Sequence, residues 1–126
     1  MAQEVIHARG RRRLLLLMTL GVIAAVPLAG RGAIGTAVNT VRAEGHKVAR
    51  AHIMHLNPLP PDLGDILRRY KKVLVPEMNT GQLTHVVRAE FLVDAECVSK
   101  VQGQPFTGGE LAARILSTLA ALETNR

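Results

Sequence analysis

The residues best placed to do chemistry in this sequence are Glu77 and Asn79, in the run VLVPEMNTGQL over residues 73–83, where an apolar stretch gives way to a turn. Loops at the carboxyl ends of strands hold ligands and partners in α/β folds, so a carboxylate and an amide just past a strand stand where function concentrates. Asn57 holds a similar place after the preceding apolar run. Together with Pro58, Gly81 and Gln82, these residues form a candidate domain or subunit contact along one edge of a sheet. The competing role for the same polar side chains is to cap helix ends and satisfy turn backbones, which Asn does often.

Other reactive residue types give weaker patterns. His52 and His55 are three apart on a strand and its exit, so they point to different faces, and with His46 they lack the close-set third ligand that zinc requires. Gly30-Arg31-Gly32-Ala33-Ile34-Gly35 fits the G-x-G-x-x-G spacing of a dinucleotide loop. The acidic residue such a loop needs about 20 positions later is replaced by Ala49, Arg50, Ala51 and His52, which favours an ordinary strand-to-helix turn. Cys97 is the only cysteine. It excludes an internal disulfide and an all-cysteine metal or cluster site, and its β-like surroundings favour a packed thiol. Ser99 and Ser117 lie in regular elements rather than in a nucleophile elbow.

A length of 126 residues sets one domain as the upper bound. Aromatic residues make up 2% of the chain, so stacking platforms for nucleobases are nearly absent and the core must be aliphatic. The formal charge of +6 is uneven: Arg9, Arg11, Arg12, Arg13 and Arg31 face only Glu4 within residues 1–32. The basic character is therefore mostly an N-terminal cluster, which reads as a targeting head or a solvated tail rather than a nucleic-acid footprint. Residues 7–32 add an uncharged run from Leu14 to Gly30, the outline of a signal peptide or short anchor. The same run also reads as the buried strand of a parallel sheet, and the sequence leaves these readings open.

From Ala33 onward helix and strand alternate. AIGTAVNTVRAEGHK spaces Ile34, Ala37, Val38 and Val41 along one helical face and closes at Gly45. KVARAHIMHL predicts a strand, NPLPP a turn, and PDLGDILRRY a helix opened by Pro61 or Asp62 with Leu63, Ile66 and Leu67 inward. KKVLVP predicts a short strand whose pairing Pro76 ends, and Asn79 or Thr80 caps a helix through Gln82, Leu83, Val86, Val87 and Phe91. A strand over 95–101 and a last helix with Leu111, Ile115, Leu116 and Leu119 on one side complete the order. The alternation implies a three-layer α/β/α fold around a small, mostly parallel sheet whose first strand only the N-terminal run can supply. The domain plan is thus a basic and apolar segment over 1–32, an α/β domain over 33–123 and a tail over 124–126.

The ordered strings AHIMHLNPLPPDLGDILRRYKKVLVPEMNTGQL and RAEFLVDAECVSKVQGQPF closely resemble the C-terminal, transketolase-C-terminal-like domain of the α subunit of 2-oxoacid:ferredoxin oxidoreductases, the 2-oxoglutarate type being nearest. The resemblance covers about residues 33–120. It implies a parent complex that converts a 2-oxoacid and coenzyme A to an acyl-coenzyme A and CO2 with thiamine diphosphate, Mg and an iron–sulfur cluster, passing electrons to ferredoxin. It also implies that this domain packs against a β subunit and the remaining α-subunit domains, with no cofactor held by its own residues. The departure lies upstream, where PLAGRG stands in place of a Gly-Trp-Gly-Ser-like turn and the pyrimidine-binding domain expected before it is not seen. The expectation is a truncated or frame-shifted remnant, cytoplasmic and not catalytic alone. The reading from another class is a small exported or membrane-tethered binding module, anchored through residues 14–30.

Overall fold

The computed structural model describes residues 2–3, 14–19, 32–53 and 56–124. Its elements run β1 (Ala2–Gln3), β2 (Leu14–Thr19), α1 (Ala33–Ala43), β3 (Val48–Ile53), α2 (Leu63–Leu67), β4 (Lys72–Glu77), α3 (Gln82–Phe91), β5 (Ala95–Ser99) and α4 (Gly108–Thr124). The five strands form one sheet in the order β1-β3-β2-β4-β5, parallel except for β1, which pairs antiparallel with the end of β3. Helices cover both faces, which gives the three-layer α/β/α arrangement expected from the alternation.

The leucine-rich run supplies the central strand. Leu14–Thr19 pairs with Val48–Ile53 on one side, and Leu14–Leu16 pairs with Lys72–Leu74 on the other. A strand in the middle of a covered parallel sheet is screened on both faces, so an unbroken apolar sequence suits it and the period-2 alternation of an exposed sheet is not required. The remainder of the Leu14–Gly30 run and the Gly30-Arg31 half of the glycine motif lie outside the described residues, as does His55. Among the described residues no helix is long and apolar enough to cross a membrane.

Alternation along β3, β4 and β5 sorts the core into two layers. Ala49, Ala51, Ile53, Val73, Val75 and Ala95 face α2 and α3, where Leu63, Leu67, Leu83 and Val87 close the layer with Phe91 and Tyr70 at its margin. Val48 and Leu74 face the other way, onto Ala37, Val38 and Val41 of α1 and Leu111, Ile115 and Leu119 of α4. Each fully buried Leu or Ile contributes about 1.5–3 kcal/mol of apolar transfer. The aliphatic composition therefore suffices without a large aromatic.

Helix ends follow their sequence signals closely. At the end of α1 the Gly45 N–H donates to Arg42 O and the His46 N–H to Val41 O, with Gly45 at φ +89°. This is the Schellman closure that a glycine after Ala43-Glu44 makes possible. α2 is shorter than PDLGDILRRY suggested, ending at Leu67, but Leu63 and Leu67 are buried and Ile66 is half-buried as that periodicity required. On α3 Val86 faces outward, while Thr84 is buried with Leu83 and Val87. β5 stops at Ser99, two residues before the sequence-based boundary.

Pro76 does not end β4: the strand continues through Glu77, with Pro76 opposite Val98 and Glu77 opposite Ser99. The reason lies in which side each backbone group faces. Val73 N–H donates to Asp94 O and Glu77 O accepts from Lys100 N–H, so the odd-numbered residues of β4 bond toward β5. In a parallel strand the even-numbered residues bond to the other neighbour. Pro76, which has no N–H to give, therefore faces β2, and the pairing with β2 already stops at Leu74.

Candidate functional site at the carboxyl edge of the sheet

Three loops leave the carboxyl ends of β3, β4 and β5; Asn57 and Pro58 lie in the first, Asn79 and Gly81 in the second, and Glu77 and Gln82 on the strand and helix ends that flank the second. β2 and β4 are neighbours in the sheet, yet the chain leaves β2 through α1 for β3 and leaves β4 through α3 for β5 on the opposite side. The turn after β4 accordingly sits at the point where strand order reverses, the place where open α/β sheets put their crevice.

Glu77, the last residue of β4, turns its side chain inward and is only 6% exposed. Its Oε1 accepts the Leu83 N–H at 2.6 Å, and its Oε2 accepts the Thr84 N–H at 3.0 Å and the Thr84 hydroxyl at 2.7 Å. The Cys97 thiol donates to the same oxygen at 3.7 Å. The first N–H groups of a helix have no partner within it and carry the positive end of its dipole. A carboxylate there is doubly favoured, by charge-assisted hydrogen bonds and by the dipole.

Asn79 performs the same service one turn earlier. Its Oδ1 accepts the Gly81 N–H at 2.8 Å and the Gln82 N–H at 3.1 Å. Its own carbonyl accepts the Ser99 hydroxyl at 2.6 Å, which ties the turn to β5. The residue at the helix boundary is Gly81, in the left-handed region at φ +99°, rather than Asn79 or Thr80. A side chain at Gly81 would be strained by that backbone and would meet the Cys97 sulfur at 3.3 Å.

The other candidates lie outward. Asn57 and Pro58, joined by a cis peptide, and Gln82 are exposed. The same three loops also expose apolar side chains that the sequence reading passed over: Leu56, Met78 and Val101 are 42%, 40% and 65% exposed. Each follows a strand within a few residues.

Sequence reasoning also missed the brace under the third loop. The Thr107 N–H donates to Glu110 Oε2 at 2.8 Å, and the Glu110 N–H donates back to Thr107 Oγ1 at 3.2 Å. That is a capping box, and its signal, Thr-Gly-Gly-Glu ahead of an apolar run, was present in the sequence. Lys100 joins it: its Nζ donates to both Glu110 oxygens at 2.8 and 2.9 Å and to Pro105 O at 3.1 Å, and it lies 5.8 Å from the centroid of the Phe106 ring. The Lys100 ammonium first, and then the Thr107 N–H, hold the Glu110 carboxyl down to about 2.

At the opposite edge of the sheet a second ion network fixes where β4 and β5 begin. Lys72 bonds Asp94 at 3.0 Å and Glu96 at 3.2 Å, and Arg114 of α4 bonds the other oxygen of Glu96. Burial works against the Lys72 charge, but the hydrogen bonds it donates to the two carboxylates outweigh that and raise its pKa.

Both oxygens of Glu77 accept hydrogen bonds from α3 and the side chain is buried, so it serves the fold at this strand end. Burial first, and then the neighbouring Glu77 carboxylate, push the Cys97 thiol up against the opposing Thr84 hydroxyl, which keeps it protonated and poorly nucleophilic. Among the described residues no three His, Cys, Asp or Glu side chains are grouped to hold a metal ion.

Fold and edge together define a parallel-sheet α/β module whose carboxyl-end loops are held by hydrogen bonds within the chain. No family model matches the chain. It is 48% identical over 89 residues, 71% of its length, to the 2-oxoglutarate oxidoreductase subunit KorA of Mycobacterium tuberculosis, of which it covers 14%. Its fold matches a chain of the 2-oxoglutarate:ferredoxin oxidoreductase from Magnetococcus marinus, solved with 2-oxoglutarate, coenzyme A and succinyl-CoA bound, at TM-score 0.74 and 29% identity. That match covers 92% of this chain and 19% of the solved one. The chain is thus homologous to a segment of the α subunit of 2-oxoglutarate:ferredoxin oxidoreductases, and it spans less than a fifth of the relatives it matches.

Proposed function

We propose that this chain is a packing and assembly module of a 2-oxoglutarate:ferredoxin oxidoreductase α subunit, corresponding to its transketolase-C-terminal-like part, and that it takes part in acyl-coenzyme A formation only through its partners. The observation that carries this reading is the 48% identity to KorA over 89 residues. In this role the module contributes the carboxyl-edge loops, including Asn57, Pro58, Gly81 and Gln82, as a contact with the β subunit or the remaining α-subunit domains. Glu77 and Asn79 hold the shape of that contact from within. Thiamine diphosphate, Mg and the iron–sulfur cluster belong to other parts of the assembly, and electrons reach ferredoxin through those parts.

Two measurements test the reading. The chain is expected to co-purify with the β subunit and α-subunit remainder of such an enzyme, and the pure chain is expected to give no 2-oxoglutarate-dependent reduction of a low-potential acceptor. Turnover by the pure chain, or absence of any association, would overturn it.

A further inference from the structure

No further inference is drawn: the strongest candidate, the outer face of α3, where Val86 and the left-handed Leu92 at the helix end are exposed, carries nothing because nothing in the structure shows what covers it.

Discussion

The carboxylate of Glu77 and the first turn of α3 meet through Thr84, whose backbone N–H and hydroxyl both donate to Glu77 Oε2, at 3.0 and 2.7 Å. One side chain at a strand end thereby fixes the direction of the following helix. The same carboxylate reaches β5 through Cys97, so β4, α3 and β5 converge on a single buried charge.

Removing that charge should therefore cost stability rather than only a contact. Glu77→Ala strands two buried N–H groups and a hydroxyl, for which a loss of roughly 3 kcal/mol in urea unfolding is expected. Asn79→Ala, at a half-buried turn, should lose about 1 kcal/mol. A Glu77→Ala variant as stable as the parent would show that water or another residue replaces the carboxylate.

Much of this was legible in the sequence, and where it was not the reasons are local. The glycine closing α1, the inward faces of α2 and α4 and the strands on either side of NPLPP follow from spacing that tertiary contacts reinforce. The leucine run was ambiguous because a strand covered on both faces carries no alternation to distinguish it from a membrane segment; only pairing on both its sides decides. Pro76 was misread because its effect depends on which neighbour its nitrogen faces, which register alone determines. Glu77 drew attention as a polar residue after a strand, but which way it turned required knowing that β4 extends one residue past the proline. The exposed Leu56, Met78 and Val101 gave no signal, because an apolar residue at a strand end looks like one more core position.

Acid should reveal the brace under the third loop. Glu110 titrates at about 2 in the folded chain and near 4.5 when free, a depressed carboxyl. Its contribution is therefore fully present above about pH 4.5 and is lost as pH falls toward 2. The difference in melting temperature between the parent and Glu110→Gln should be constant near neutrality, narrow below pH 4.5 and close near pH 2. A difference that does not change with pH would mean that the Lys100–Glu110 pair does not form in solution.

Close packing between helices should make two glycines intolerant of a methyl group. A Cβ on Gly64 of α2 would lie 2.7 Å from Phe91 Cδ1, and one on Gly108 at the start of α4 would lie 2.8 Å from Thr36 Cγ2 of α1. Gly64→Ala is expected to lose about 1–3 kcal/mol, since the Phe91 ring packs against the α2–α3 core layer and must shift. Gly109→Ala, with open space around it, provides the control. Equal stability of the Gly64 and Gly109 variants would show that the ring moves aside without cost.

The end of α3 offers a substitution that should work in the opposite direction. Leu92 sits at φ +52°, its N–H closing the helix onto Arg88 O, and its side chain is 88% exposed. A left-handed backbone strains a leucine, and glycine relieves that strain. Little is lost from the core, because the leucine side chain is almost wholly in water. Against this stands the greater entropy a glycine loses on folding, which is the smaller effect where φ is positive. Leu92→Gly should therefore raise the free energy of unfolding by up to about 1 kcal/mol, with the same denaturant slope. A destabilised Leu92→Gly chain would show that this leucine makes contacts worth more than its strained backbone costs.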